Sequence, residues 1–387
     1  MLSYDPIGIV ARKSALHKRH LNLGAVMVNW NGLMLPLSYS HSLQMQHLAI
    51  RAECGLTDMS GIRKILVKGK QAQWFLDSCV TRNCYAQEPG TAVYTVILDA
   101  DGNILDDAIL FRLNSSHTWR DAVVNGCENA WLICFGAGRG FAMLRSEASK
   151  FDVQVIECQH LHCLMIQGPK AASSFASVLP NKNSRDKMAK MKRFEVRNFH
   201  LAGHPVLVAR VSYSGEDGFE IFCDYNVVTD IWDLILGRGV PAVCPVAFGA
   251  LDMMRIEAGL LIFGQDMTGV QTPREVGLDF VVDYNKPEFL GKECLLSRNC
   301  KLQKCLVGFQ SSQQLSIANR DPLRNGGKRI GQITSCGYSQ WLKKTIGFAH
   351  VTPKSASPGT TAYVNTAEGI AEVTITNRRF YQNLSSN

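Results

Sequence analysis

A chain of 387 residues with 41 basic and 33 acidic side chains, net charge +8, 46% hydrophobic and 19% charged residues has enough apolar material for a sizeable core, which excludes intrinsic disorder. At roughly 150 residues per domain the length predicts two to three domains. The longest apolar stretches, such as 240–254, are interrupted by Gly, Pro or polar residues well before the roughly 18 residues of a membrane span, so no membrane is expected as a partner. The charge excess is mild for this size. Its densest stretch, 182–197, contains Lys187, Lys190, Lys192 and Arg193 but only one aromatic, Phe194, and reads as a solvated helix face or loop rather than a nucleic-acid groove.

Thirteen cysteines is an odd number, and no Cys-x-x-Cys pair occurs. With no secretory apolar segment at the start, they read as reduced thiols of a reducing compartment, the cytoplasm. Arg12, Lys13, His17, Lys18, Arg19 and His20 hint at a targeting presequence, but Asp5 and Pro6 oppose an unbroken amphipathic helix.

Taken in chain order, 65–67 is a short β-type run followed by Gly69 and a helical pattern through Ala72, Phe75 and Leu76. Residues 94–98, the turn Asp101-Gly102-Asn103 and residues 104–113 predict a hairpin. Residues 130–135 predict a strand and 140–150 a helix. The block 161–166, Gly168-Pro169, 171–178 reads as strand, turn, helix. Residues 206–211 and 219–222, around the loop Ser214-Gly215-Glu216-Asp217-Gly218, predict a second hairpin, and 231–236 and 247–258 predict helices. Past Lys301 the pattern becomes short strands at 305–309, 329–334, 345–350, 361–364 and 370–376, which implies a separate small β-barrel or sandwich.

Several clusters bear on chemistry. In Cys158-Gln-His160-Leu-His162-Cys163 strand alternation separates His160 and His162 from Leu161 and Cys163, so four metal ligands do not converge there and no metal is expected. The loop Phe135-Gly136-Ala-Gly138-Arg-Gly140 is rich in glycine but misses the dinucleotide spacing. Asp106 and Asp107 head an otherwise apolar strand. One carboxylate of the two must face a packed interior or cleft, where it either binds something or closes a turn. Glu216, between two glycines at a hairpin tip, can offer its acceptor pair to a planar N–H array or sit solvated in an acidic turn. Arg255, on a largely apolar helix, requires a carboxylate from a neighbour or a ligand.

Read together, these blocks resemble the aminomethyltransferase family, whose best-known member is the glycine-cleavage T-protein. Matching segments run nearly end to end: Gly32-Leu-Met-Leu-Pro-Leu, Gly102-Asn-Ile-Leu-Asp-Asp, Ile166-Gln-Gly-Pro, Tyr213-Ser-Gly-Glu-Asp-Gly-Phe-Glu, Arg255-Ile-Glu-Ala-Gly-Leu-Leu-Ile-Phe-Gly-Gln-Asp, Thr272-Pro-Arg-Glu-Val-Gly-Leu and Phe289-Leu-Gly-Lys. The resemblance implies an α+β cloverleaf of three domains. Two interleaved subdomains would span 14–295 and a C-terminal β-barrel 301–387, around a central cavity for tetrahydrofolate. It further implies that Asp106 is the carboxylate beside the reacting nitrogens, that Glu216 holds the pterin edge, and that Arg255 and Tyr94 line the same pocket. The activity implied is one-carbon transfer to tetrahydrofolate from a small-molecule donor or a lipoylated carrier protein.

The match departs from the T-protein pattern in places. An expected Asp-Val-Ser-His-Met block reads Asp58-Met59-Ser60-Gly61-Ile62, an Asn is expected where Phe135 stands, and a Gly-Gly is here Gly102-Asn103. Two other readings of the same scaffold are a methyltransferase resembling dimethylsulfoniopropionate demethylase and a non-catalytic folate-binding factor of iron–sulfur assembly. The demethylase typically has Asn-Asp where this chain has Asp106-Asp107. The assembly factors carry a Lys-Gly-Cys-Tyr-x-Gly-Gln-Glu block that is absent here.

Overall fold

The computed structural model describes residues 11–114, 129–297 and 302–382; Asp5, Pro6, Cys127, Cys300 and Lys301 lie outside them. Apolar β-runs punctuated by glycine turns build two large sheets. A five-stranded sheet has the order Thr91–Leu98, Ile104–Arg112, Ala130–Phe135, Arg63–Lys68, Gln154–Glu157. A six-stranded sheet has the order Val196–Leu201, His204–Ala209, Gly218–Asp224, Leu161–Gln167, Gly55–Asp58, Cys244–Pro245. The first sheet is therefore inserted in sequence within the second, so neither is a contiguous stretch of chain. A three-stranded sheet (Arg12–Lys13, Leu33–Ser38, Val26–Trp30) completes this part.

Past residue 302 the short strands close into a six-stranded barrel, Cys305–Ser311, Lys344–Val351, Lys328–Ser339, Pro322–Asn325, Thr361–Thr366 and Gly369–Thr376, which pairs back to the first. The structure is α+β with a terminal barrel, as expected. Phe309, Phe348 and Ile375 are fully buried in or against this barrel, each contributing about 1.5–3 kcal/mol by leaving water.

The hairpin of Thr91–Leu98 with Ile104–Arg112 turns on Gly102, whose φ of +77° is the conformation that glycine adopts without strain. The Gly168-Pro169 turn is equally constrained. Gly168 has φ +133°, and a Cβ there would come within 2.5 Å of the Glu53 carbonyl. The basic stretch forms the helix Lys182–Ala189, with an exposed Lys187 donating to the Asn198 carbonyl and Arg197 paired with Glu195.

The two large sheets pack face to face. Cys163, Met165 and Phe222 of one share a core with Phe111, Leu132 and Cys134 of the other, and the Phe111 and Phe222 rings meet edge to face at 5.3 Å. The opposite face of the five-stranded sheet is covered by Ala72–Cys79 and Gly140–Glu147. The helix Phe248–Glu257 joins the parts, touching the helix Leu43–Ala52, the strand Leu33–Ser38 and two barrel strands.

Candidate functional site

Strand alternation decides what each acidic side chain can do. On Ile104–Arg112, Ala108 and Leu110 join the core under the helices while Ile109 and Phe111 face the other large sheet. Asp106 goes with the first set and Asp107 with the second. Asp106 is 1% exposed, and its carboxylate accepts the amides of Asp107 (3.0 Å) and Gly140 (3.2 Å). Burial and the neighbouring Asp107 push its pKa well up. The glycine-rich loop therefore cradles the chain's own Asp106 carboxyl: a Cβ on Gly138 would lie 2.5 Å from the Asp106 Cγ. Asp106, expected beside the reacting nitrogens, turns away from the face that meets the other large sheet and ties down a loop.

Asp107 looks into that space. Tyr94, on the neighbouring strand, donates its hydroxyl to Asp107 Oδ2 at 2.9 Å. Burial raises the Asp107 pKa to about 6, against the opposing pull of that hydrogen bond. Gly136 stands over the carboxylate, where an added Cβ would be 3.6 Å from Oδ1. Tyr94, expected to line the folate pocket, stands next to this carboxylate, and burial holds its phenol well above the usual range.

The facing sheet presents a second set of polar groups. Thr57, Met165 and Glu220 lie side by side across three strands, and Gln167 follows on the same face two residues beyond Met165. All are buried. Thr57 Oγ1, Glu220 Oε2 and both polar atoms of the Gln167 amide find no hydrogen-bond partner. Desolvation raises the Glu220 pKa to about 7, only partly offset by the Lys64 ammonium. Lys64 comes from the opposite sheet and donates to the Ser60 carbonyl at 2.7 Å. Leaving a buried amide and carboxyl unpartnered is costly, so this face is built for a polar ligand.

The other two expected residues are already engaged. Glu216 forms a buried ion pair with Arg51 at 2.7 Å, and Arg51 also pairs with Glu257 at 2.7 Å. His47 joins Glu257 at 2.8 Å and Ser339 of the barrel donates to the same carboxylate. Arg255, 0% exposed, is held by Asp252 at 2.9 Å, by Asp266, and by Ser335 of the barrel at 2.8 Å. Thr334 donates to Asp266 as well. Both expected side chains are thus engaged in buried ion pairs, and barrel hydroxyls hydrogen-bond to the same networks.

Glu220, Gln167 and Thr57 escaped the sequence reading. The available signal was a polar residue at a buried position of an apolar strand, as in Gly218-Phe-Glu-Ile-Phe and Leu164-Met-Ile-Gln. Among the described residues no three His, Cys, Asp or Glu side chains are grouped to hold a metal ion. Cys158 and Cys163 are instead part of the core, and His162 accepts the Ala15 amide. All eleven described cysteines are free thiols. No described helix is long and apolar enough to cross a membrane.

Two family models match this chain: the GCVT N-terminal domain over residues 16–286 and the glycine cleavage T-protein C-terminal barrel domain over residues 304–382. The gamma subunit of a heme-dependent oxidative N-demethylase from Ectopseudomonas mendocina is 33% identical over 358 residues, 90% of each chain. An aminomethyltransferase from Thermotoga maritima is 31% identical over 376 residues, 96% of this chain and 98% of its own. Among solved structures, the glycine cleavage system aminomethyltransferase T from Bartonella henselae is similar with a TM-score of 0.85 and 26% identity, over 96% of this chain and 98% of that one.

Proposed function

The chain belongs to the glycine-cleavage T-protein family, and from that premise we propose that it transfers a one-carbon unit from an amine-linked donor to tetrahydrofolate in the space between its two large sheets. The single observation that carries the placement is the row of unpartnered buried polar atoms on Thr57, Gln167 and Glu220, facing the sheet that bears Asp107 and Tyr94. The edge of a pterin carries N–H donors beside ring-nitrogen and carbonyl acceptors. A carboxyl, a carboxamide and a hydroxyl fit that pattern.

Tetrahydrofolate bound there supplies the nitrogen nucleophiles that take up the carbon. Glu220 and Gln167 orient the pterin edge and Thr57 adds a hydroxyl. Asp107, as a carboxylate, stabilises positive charge on the reacting nitrogens, and Tyr94 fixes the carboxylate through its 2.9 Å hydrogen bond. The rest of the rate enhancement comes from holding two reactants together out of water. Asp106, Glu216 and Arg255 support this arrangement from outside it. The chain divides functionally into a transferase region, 14–295, and the barrel, 301–387.

Amine-linked carbon is favoured over S-methyl groups because the activities for which the relatives are named, aminomethyl transfer and N-demethylation, both concern carbon attached to nitrogen. The chain works with a donor supplied either by a lipoylated carrier protein or as a small N-methylated molecule, in a reducing compartment such as the cytoplasm.

The test is a product assay with purified protein and tetrahydrofolate. Aminomethylated lipoyl carrier and a panel of methylated amines and sulfonium compounds are offered in parallel, and mass spectrometry separates methylene- from methyl-tetrahydrofolate. Methylene product with the carrier or an oxidised N-methyl donor supports the proposal. Methyl product from a sulfonium donor replaces it with the demethylase reading, and folate binding without product from any donor replaces it with a binding role.

A further inference from the structure

The tail beyond the last barrel strand returns to the body of the protein. The Phe380 and Tyr381 amides donate to the Glu257 carbonyl at 3.0 and 2.8 Å, and the Phe380 ring stacks on Phe348. This anchoring carries Arg378 inward. Its Nη2 donates to the Gly277 carbonyl at 3.1 Å, and Gly277 leaves room for the fork, since a Cβ there would lie 2.7 Å from Nη2. Nη1 is buried and has no hydrogen-bond partner.

Asp266 is the charge that acts on Arg378, and the neutral Tyr94 phenol belongs to the same cluster as Val276 and Phe380, the neighbours of Gly277 and of the tail. Asp266 is already bound by Arg255, Thr334, Ser335 and the Ile262 amide. Tyr94 in turn donates to Asp107. Arg378 makes no ion pair among the described residues. A guanidinium stays protonated even when buried, and Arg378 is half-buried with its Nη1 out of water, which is unfavourable until a close counter-ion is supplied.

We propose that Arg378 binds a carboxylate of the ligand that reacts beside Asp107, its free Nη1 completing a charge-assisted contact next to Tyr94. A carboxylate, with one negative charge and planar oxygens, matches the guanidinium fork. The location of the reacting carbon rests on the one-carbon-transfer reading above. Two sources offer this chemistry: the carboxylate of an N-methylated amino acid donor, and the glutamyl end of folate.

Arg378→Met and Arg378→Lys, each checked by thermal melting, are compared with the wild type by calorimetric titration against two ligand pairs. Tetrahydrofolate is paired with the tetrahydropteroyl amide, in which a neutral carboxamide replaces the glutamyl group. N-methylglycine is paired with dimethylamine, both in the presence of the tetrahydropteroyl amide. The expected result is that Arg378→Met weakens the carboxylated member of one pair by about 10- to 100-fold and spares its uncarboxylated partner, with Arg378→Lys restoring part of the loss. Loss confined to tetrahydrofolate identifies the glutamyl source, and loss confined to N-methylglycine identifies the donor. Equal weakening of both members, or no change in either pair, overturns the proposal. If the wild type binds neither pteridine, the folate reading fails and N-methylglycine against dimethylamine, titrated alone, decides Arg378; a wild type that binds none of the four ligands overturns both. If Arg378→Met does not fold, Arg378→Lys decides by the same criteria.

Discussion

Two buried polar regions of this protein are constructed on opposite principles. At the junction of the barrel with the body, each carboxylate is matched: Arg51 between Glu216 and Glu257, Arg255 between Asp252 and Asp266, with Ser335, Ser339 and Thr334 supplying hydroxyls from the barrel. Between the two large sheets, Gln167, Glu220 and Thr57 are left with unpartnered atoms, and Asp107 has one phenol hydroxyl. Saturated charge fixes geometry, because removing either partner strands the other in a low dielectric. Unsaturated polar surface is a cost the folded chain carries until a ligand removes it. The two candidate binding residues Glu216 and Arg255 belong to the first class, whereas Asp107, Glu220 and Gln167 belong to the second.

The comparison breaks most readily at the carboxylate pair. Asp107→Asn is expected to lower one-carbon transfer by about 10²–10³-fold while tetrahydrofolate affinity stays within a few-fold, as read by single-turnover kinetics and direct titration. An Asp107→Asn enzyme with normal turnover would remove Asp107 from the chemistry. Next in size, Glu257→Ala strands Arg51 and His47 and should cost about 3–5 kcal/mol of unfolding free energy; chemical denaturation that moved by less than 1 kcal/mol would show that the junction is not cemented by charge.

Glu220 sharpens the contrast through pH. Its folded pKa of about 7 lies above the usual 4.5, so the ligand-free protein holds it protonated when the unfolded chain does not. That stability is fully present below about pH 4.5 and is lost as pH rises through 7, by roughly 3 kcal/mol at most. Melting curves of Glu220→Gln should lack this component between pH 4.5 and 7, and identical profiles for variant and wild type would disprove it. Asp107, raised to about 6, acts as a carboxylate in the proposed chemistry, so the transfer rate should rise with pH through that value and level off above it.

The smallest expected effect is at Asp106. Asp106→Asn keeps an oxygen for the loop amides but adds donors with no partner there, and it should lose about 1–3 kcal/mol with turnover falling by only a few-fold. Loss of transfer as deep as that of Asp107→Asn in a well-folded Asp106→Asn protein would restore Asp106 to the reacting centre.

Much of the architecture was legible in the linear order of residues. The hairpin around Gly102, the strand at 130–135, the helix at 171–178 and the barrel strands after residue 302 are dictated by local periodicity and turn chemistry. The strand Gly55–Asp58 was not legible, because it is short and takes its hydrogen bonds from Leu161–Gln167 and Cys244–Pro245, remote in sequence. The family motifs identified the chemistry and brought attention to the Asp-Asp pair and to the Ser214–Glu220 segment.

Within those motifs, sequence could say that one of two adjacent carboxylates points inward, since alternation requires it. Which face of the strand meets the facing sheet and which meets the helix Gly140–Glu147 is a property of packing, and packing gave Asp106 to the glycine loop and Asp107 to the site. The same holds for Glu216 and Glu220, four residues apart on one hairpin: the first meets Arg51, 165 residues away in sequence, and the second meets no hydrogen-bond donor at Oε2. Local pattern determines which residues form a strand and which of its side chains share a face. Whether a charged group on that face finds its counter-ion depends on how segments distant in sequence pack against it, as Arg51 does against Glu216, and only the tertiary structure decides that.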